Sequence, residues 1–279
     1  MVHINGELIS QEQASIPFDN RGTYYGDAVF ETMRAHNGSI LFFEAHYFRL
    51  MSGMRILRMD IPSLFTPEYI ENAVMELLEK KELHNTAARI RFTVWRNTGG
   101  YYTPSDNGVQ YSITCSALEQ ASFMNVDERV VDLYKDYYVP SNLLSTIKSA
   151  QKMVHVLAGR FGHENGYHDM LLMNDQKMVV ESIAGNLFLR KGNVVKTPPV
   201  TDGCLNGIMR EQVIQQLKRM LNYEIVEETI TPFELQRADE LFTTNMIKGI
   251  QSITKYRKKN FENSLATELL ELFNDKLFN

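Results

Sequence analysis

Ser145-Thr146-Ile147-Lys148-Ser149-Ala150-Gln151 is the stretch on which the reading of this chain turns. Polar and apolar residues alternate loosely here. The stretch follows the strand-like Val130 to Tyr134 and precedes a helical pattern that starts at about Gln151. A lysine at such a junction can have its backbone held while its amine points into a cleft. Taken alone, Lys148 has the ordinary reading of a solvated surface charge. What lifts it lies downstream: Val180-Glu181-Ser182-Ile183-Ala184-Gly185-Asn186-Leu187-Phe188, and then Leu205-Asn206-Gly207-Ile208-Met209-Arg210 opening a strong helix. Glu181 ends an apolar strand before a small-residue turn. A carboxylate there is partly desolvated and wants a cationic partner, which could equally be a structural salt bridge. At Gly207 to Arg210 the first helical amides have no partner inside the helix, and the helix dipole adds positive potential. An anion could bind the backbone of Ile208 and Met209 without any basic side chain.

Composition bounds the possibilities. The chain has 279 residues, room for one large domain or two ordinary ones. Hydrophobic residues at 44% and charged residues at 23% predict a globular protein with a sizeable core. A net charge of −5 argues against a dedicated nucleic-acid binder. Cys115 and Cys204 are the two cysteines; they lack metal-ligand spacing, so no metal centre and no disulfide framework is expected. The start, Met1-Val2-His3-Ile4-Asn5-Gly6-Glu7, lacks a basic region followed by an apolar run, and no apolar run approaches the ~18 residues that span a bilayer. The expectation is a soluble cytoplasmic protein with no membrane partner.

Periodicity supplies the elements. Val2 to Ser10 reads as a hairpin turning at Asn5-Gly6. Asp19 to Gly22 reads as a loop, and Tyr25 to Arg34 as the entry to a strand that turns at Asn37-Gly38. Glu44 to Met59 is helical, with Phe48, Met51, Ile56 and Met59 as its apolar positions. Thr66 is a plausible cap for a helix to Lys81 with Pro67 at its first position. Ala88 to Arg96 alternates: Ile90, Phe92 and Val94 on one side, Arg89, Arg91 and Thr93 on a wet face. After strand Val109 to Ala117 comes polar, irregular sequence, which places an N-terminal domain at 1–120, a linker at 121–128 and a C-terminal domain at 129–279. In that second half, helices are expected at Gln151 to Asn165, Arg210 to Leu221 (with Val213, Ile214, Leu217 and Leu221 on one face), Pro232 to Arg237 and Leu265 to Leu277. Strands are expected between them, the last from Glu240 to Thr244. The basic run Lys255-Tyr256-Arg257-Lys258-Lys259 reads as a solvated edge, with an anionic ligand as the lesser alternative. Arg49, in His46-Tyr47-Phe48-Arg49-Leu50, reads as a surface ion pair, and Asn245 as a turn cap or an anion donor.

The order and spacing of these pieces resemble the class IV aminotransferases, the pyridoxal phosphate fold type IV family of branched-chain aminotransferases, D-amino acid aminotransferases and aminodeoxychorismate lyases. The pieces are Arg21-Gly22-x-x-Tyr25-Gly26-Asp27-x-x-Phe30-Glu31, His46-x-x-Arg49-Leu50, Lys148-Ser149, Glu181-x-x-x-x-Asn186-x-Phe188, Thr197-Pro198 and Gly207-Ile208-x-Arg210. The resemblance runs from Asn5-Gly6 to about Tyr256. It implies an α/β (α+β) protein of two domains, D-amino acid aminotransferase-like, with pyridoxal 5'-phosphate between them, in a homodimer whose partner chain closes part of the site. By the same resemblance Lys148 bonds the cofactor covalently and acts as general base, and Glu181 keeps the pyridine nitrogen protonated. Arg49, the Ile208 and Met209 amides and the Thr244-Asn245 turn bind the phosphate, and Leu205 packs on the ring.

The reaction is harder to read than the cofactor. Thr32, in Phe30-Glu31-Thr32, puts a hydroxyl on the substrate side, where it could assist proton transfer; branched-chain enzymes more usually have Gly there. The loop Arg96-Asn97-Thr98-Gly99-Gly100-Tyr101-Tyr102 resembles the lyase substrate loop, with Asn97 and Tyr101 in place of a Gly and an Arg. A lost arginine weakens bidentate carboxylate binding. Phe30, Arg96 and Tyr101 are the expected substrate contacts. The reading favours transamination between an amino acid, branched-chain ones among the candidates, and a 2-oxo acid. The alternative is a lyase acting on an amino-cyclohexadiene acid to release 4-aminobenzoate and pyruvate. A non-enzymatic binding module ranks last, because a retired site needs neither Lys148 nor Glu181.

Overall fold

The computed structural model describes residues 1–278, which form two compact units. The first comprises residues 1–122 and 147–151. Its strands are β1 (Val2–Ile4), β2 (Glu7–Ile9), β3 (Ala28–His36), β4 (Ser39–Ile40), β5 (Ala88–Arg96) and β6 (Val109–Ala117), in the sheet order β2-β1-β6-β5-β3-β4. Every pairing in it is antiparallel. Its helices are α1 (Arg21–Tyr25), α2 (Phe43–Ile56) and α3 (Pro67–Lys80). The hairpins turn where Asn-Gly pairs stand, with positive φ at Asn5, Gly6, Asn37 and Gly38. Strand alternation sorts β5 as expected: Ile90, Phe92 and Val94 are buried in a core with Val74, Leu77 and Leu78 of α3. The opposite face, Arg89, Arg91 and Thr93, is partly covered rather than wet. In α3 the Thr66 hydroxyl accepts from Tyr69 N–H at 3.2 Å and Pro67 opens the helix.

Three local readings change. Residues 21–25 form a helix, not a loop leading into a strand; Asn20 Oδ1 caps it by accepting from Thr23 N–H, and Gly26 at φ 64 ends it. On α2 the buried stripe is His46, Leu50, Met51 and Met54, while Phe48 stands 57% exposed. The stripe was hard to see because it begins with a polar residue, His46, whose buried position is made tolerable by Glu31 on β3. A third change concerns Arg96. Its Nε donates to Asp27 at 2.8 Å, and its two terminal nitrogens donate to Leu57 O, Arg58 O and Asn107 Oδ1. Asp27 also accepts from Arg21, which donates to the carbonyls of Gly99, Gly100 and Tyr101. One carboxylate thus organises two buried arginines that together fix both ends of the loop at 97–107.

The second unit comprises residues 123–146 and 152 onward. Its ten strands are β7 (Val130–Leu133), β8 (Asp169–Met173), β9 (Val179–Ser182), β10 (Asn186–Lys191), β11 (Val194–Thr197), β12 (Glu224–Glu227), β13 (Glu240–Asn245), β14 (Gly249–Ile253), β15 (Lys255–Tyr256) and β16 (Lys259–Asn260). The path runs β12-β11-β10-β9-β8-β7-β15-β16, with β13 on β10 and β14 on β13. The helices are α4 (Leu143–Thr146), α5 (Met153–Glu164), α6 (Ile208–Arg219), α7 (Pro232–Arg237) and α8 (Ser264–Phe278). Thr231 and Glu234 form a capping box at α7. Strand β14, which precedes the basic run at Lys255 to Lys259, is fully buried. Leu221 lies beyond the end of α6 and is exposed, whereas Val213, Ile214 and Leu217 are buried as expected.

The boundary between units falls at 122/123, inside the stretch expected as linker. The Lys148 segment packs with the first unit, although its position in the sequence assigned it to the C-terminal domain. The reason is pairing: Phe30 N–H donates to Lys148 O and Ala150 N–H to Ala28 O, both at 2.9 Å, so the segment lies antiparallel against β3. No helix among the described residues is long and apolar enough to cross a membrane. Replacing Asp27 by Asn leaves two buried guanidinium groups without their counter-charge. We expect a loss of about 3 kcal/mol in denaturant unfolding, with proteolytic nicking at the 97–107 loop; unchanged stability would show that the carbonyl contacts of Arg21 and Arg96 suffice.

Candidate active site

The first unit places Lys148 by its backbone. Ser149 bridges Val29, so the alternation of the segment is locked to that of β3. Ile147 and Ser149 are buried, and Ile147 joins the core. Lys148 takes the other face, with Phe30. Its Nζ lies 4.7 Å from the centre of the Phe30 ring, and the Arg91 guanidinium carbon lies 3.9 Å over the same ring. Thr32 follows two residues on from Phe30 and is opposite Arg91 in the register. Gly26 permits the close approach of the segment: a Cβ there would stand 2.9 Å from Gln151 Cγ, in a left-handed conformation besides.

Behind β3 sits a buried ionic cluster. Glu31 is 1% exposed. Its carboxylate accepts from Arg49 Nε at 2.7 Å and Nη2 at 2.6 Å, and from His46 Nδ1 at 2.7 Å. Burial on its own would raise the Glu31 carboxyl, but Arg49 and His46 outweigh it and hold it at about 2. Burial lowers the His46 imidazole; Glu31 pulls it back, while the charges of Arg49 and Lys148 lower it further. Arg49 is therefore no surface ion pair. It is a two-pronged partner of a buried carboxylate, and Lys148 is near enough to act on the same cluster.

The second unit builds around Glu181, on β9. It is 4% exposed. Oε2 accepts from the Leu205 N–H at 2.9 Å, and Oε1 pairs with His155 Nε2 of α5 at 2.9 Å. Burial pushes the carboxyl up, yet the His155 contact, the Lys152 charge and the Leu205 amide leave it below its ordinary range. Asn186 lies opposite Glu181 on β10 and opposite Thr244 on β13, so three strands bring these residues into one row. Asn186 Nδ2 donates to Leu205 O at 2.7 Å and sits so close to Gly207 that a Cβ there would fall 1.9 Å from its Oδ1. Only glycine fits the start of α6.

No side chain caps α6 among the described residues, which leaves the amides of Ile208 and Met209 as first-turn donors. Thr244 is 1% exposed, and its Oγ1 is buried without a hydrogen-bond partner. An uncapped twelve-residue helix start, an orphaned hydroxyl and an ionised carboxylate fit a group that carries both a phosphate and a cationic ring nitrogen. Asn245 resolves toward the bland alternative: its Oδ1 accepts from Ile247 and Lys248 N–H and caps the turn. Arg210 is buried on Pro198 O and Glu227 and belongs to the helix–strand packing.

Of the expected substrate residues, Phe30 stands beside Lys148, Arg96 is committed to Asp27 and the loop, and Tyr101 is 84% exposed at the loop tip. Motif reading passed over His155 and Lys152, for which no spacing signal exists, since their partner is 26 residues from His155 on another element. It left Arg91 undecided: alternation set it only opposite Phe92, and the pairing with β3 that brings it to the face of Phe30 and Thr32 is a structural finding.

Comparison with known proteins shows which family the chain resembles. The amino-transferase class IV family model matches residues 28–256, a span that includes Lys148, Glu181 and Thr244. A putative branched-chain-amino-acid aminotransferase of Methanocaldococcus jannaschii is 29% identical over 99% of this chain and 94% of its own length. A D-alanine aminotransferase of Bacillus licheniformis is 26% identical over 91% and 87%. Among solved structures, a T.th. branched-chain amino acid aminotransferase with pyridoxamine 5'-phosphate superposes with a TM-score of 0.86 at 23% identity, covering 98% of this chain and 92% of that one. A putative 4-amino-4-deoxychorismate lyase from Legionella pneumophila does so with a TM-score of 0.82 at 22% identity, covering 95% and 96%. At those identities the structures establish a shared fold. The family match, spanning most of the chain, settles the rest: this protein belongs to the class IV aminotransferases.

Proposed function

We propose that this aminotransferase uses pyridoxal 5'-phosphate, held by Lys148, Arg49, Glu181, Thr244 and the Ile208 and Met209 amides, to move an amino group from an amino acid to a 2-oxo acid. The observation that carries the reading is the lysine: Lys148 is fixed to β3 by two backbone hydrogen bonds, with its amine beside Phe30 and near the Glu31–Arg49 cluster. When bound, the cofactor supplies a covalent carrier for the amino group and an electron sink for the α-carbon.

The chain's own residues do the remainder. Lys148 Nζ would take the α-proton of the amino acid as a general base and give a proton back, as a general acid, to the carrier carbon on the far side of the amino nitrogen. Its backbone anchors keep that amine on one side of the ring. Glu181 offers fixed negative charge to the ring nitrogen, and Leu205 packs against the ring while its amide steadies Glu181. Arg49, already held at two nitrogens, and the hydroxyl of Thr244 bind phosphate with the α6 amides. The Thr32 hydroxyl, on the face of Phe30, is placed to hold or pass a proton. Arg91 replaces Arg96 as the guanidinium for a substrate carboxylate, because Arg91 shares that face and Arg96 has its donors committed.

The curated relatives, named for branched-chain amino acids and for D-alanine, support transamination and leave the hand of the substrate to experiment. Thr32 favours the lyase as the second reading. A homodimer is part of the proposal by kinship with the family.

Purified protein with pyridoxal phosphate is expected to show a band near ~415 nm that Lys148→Ala abolishes. A wild-type protein that stays colourless would overturn the cofactor assignment. Leucine or D-alanine is expected to convert the band to one near ~330 nm with release of the matching 2-oxo acid. Catalytic release of 4-aminobenzoate from aminodeoxychorismate, without such conversion, would establish the lyase instead. Arg91→Ala is expected to lower kcat/KM for the 2-oxo acid by about 10- to 100-fold, the worth of a charge-assisted hydrogen bond, while equal loss with Arg96→Lys would restore Arg96 as the substrate contact.

A further inference from the structure

We propose that His155 is a positioning residue for Glu181: through its Nε2–H it fixes the carboxylate as an ionised acceptor for the cofactor's ring nitrogen. The inference rests on the proposed cofactor reading and deepens it.

The geometry is contained in the second unit. His155 sits in the first turn of α5, and its Nε2 lies 2.9 Å from Glu181 Oε1. An ionised carboxylate only accepts, so Nε2 carries the hydrogen and Nδ1 is the lone-pair nitrogen. Nδ1 is buried and has no hydrogen-bond partner. A lone pair tolerates that setting better than an N–H does, because an unpaired buried donor is costly. The arrangement therefore keeps the proton on Nε2 and the negative charge on Glu181. The Leu205 N–H holds the second oxygen, so both oxygens have a fixed donor and the carboxylate plane is set before any ligand arrives.

The other groups around Glu181 fit this account. Lys152, just before α5, adds positive charge, though burial lowers its own amine. Leu172 of β8, the residue opposite in the register, is apolar, and Asn186 on β10 is a neutral amide. The Cys204 thiol is pushed up to about 12 by burial, with Glu181 contributing, and stays neutral. Among the described residues, His155 is thus the side chain that donates a hydrogen bond to an oxygen of Glu181. Without it, Oε1 loses a donor in a dry setting and the carboxyl shifts toward its protonated form, which cannot favour a protonated ring nitrogen.

The test separates this role from simple support of the fold. Binding of pyridoxal phosphate is compared with binding of its 1-deaza analogue, in which CH replaces the ring nitrogen. Both are titrated by absorbance or by quenching of Trp95 fluorescence into wild type, His155→Leu, His155→Asn and His155→Gln. Wild type is expected to prefer the natural cofactor by about tenfold or more. Leu removes the donor and Asn is too short to reach Glu181, so either is expected to bring the ratio toward one. Gln keeps an N–H near the position of Nε2 and is expected to restore most of it. The visible band of the loaded Leu and Asn variants is also expected to titrate within a pH range where wild type is constant. Equal weakening of both ligands, with the ratio preserved, would overturn the inference and leave His155 a structural residue. Failure of wild type to bind pyridoxal phosphate would instead remove the cofactor reading beneath it. Melting of the unliganded variants shows which are folded; should Leu not fold, Asn and Gln decide the question.

Discussion

Two backbone hydrogen bonds, Phe30 N–H to Lys148 O and Ala150 N–H to Ala28 O, fix how the lysine segment lies on β3. Each contributes only about 1 kcal/mol to stability. Their importance is geometric. Antiparallel pairing fixes which side chains share a face, and a slip of one residue would exchange them all. In the observed register Ile147 enters the core and Lys148 comes to Phe30. Shifted by one, the amine would be driven into the apolar layer and Ile147 would take its place. The burial of Ile147 therefore holds the lysine where it stands, and the hydrophobic effect, which knows nothing of amines, selects the register.

The same strand then uses its other face for charge. Glu31 lies between Phe30 and Thr32 in sequence and points the opposite way, to meet His46 and Arg49 of α2. A buried carboxylate is tolerable only when its oxygens are taken up by donors. Glu31 has Arg49 and His46; Glu181 has His155 and Leu205 N–H; Glu240 accepts from the amides of Leu265 and Ala266 at the start of α8 and from Arg190. The first two fall in the proposed site and the third outside it, so burial and full satisfaction do not by themselves identify function. What distinguishes the first two is what stands next to them: a lysine with a set direction in one case, an uncapped helix start and an orphaned hydroxyl in the other.

How much of this the chain's order revealed depends on the range of the interaction. Asn5-Gly6, Asn37-Gly38, Thr66-Pro67 and Thr231 to Glu234 act within a few residues, and each produced the turn or cap that its chemistry demands. Ile90, Phe92 and Val94 were legible because period-two alternation is itself local. The short helix at 21–25 was not, since a five-residue helix has no apolar stripe, and its signals were a capping Asn20 and a left-handed Gly26. The stripe of α2 was misread because its first member is a histidine, whose burial depends on a residue fifteen positions earlier. The placement of the lysine segment with the first unit was out of reach for the same reason: pairing between residues 28–30 and 148–150 leaves no periodic trace in either.

Arginine placement shows what parity adds to residue type and motif. Arg96 ends a strand that also carries Arg89 and Arg91, and resemblance to a substrate loop pointed to Arg96. Yet counting along β5 from Phe92, which is in the core, puts Arg91 on the opposite face, paired with Thr32 and lying over Phe30. Arg96 falls where the strand ends and where Asp27, two backbone carbonyls of the α2 exit and Asn107 converge. Its N–H donors, set in a rigid fork, suit it to that junction better than to reversible capture of a ligand, because a guanidinium already matched to fixed acceptors gains little by exchanging them. Arg91 gives its Nε to the Thr93 hydroxyl at 3.2 Å and stacks on one aromatic ring, on the face to which register has already brought the amine. A guanidinium steadied at one nitrogen and by its flat face keeps its orientation, which is what reversible binding of a carboxylate, as proposed for Arg91, would need.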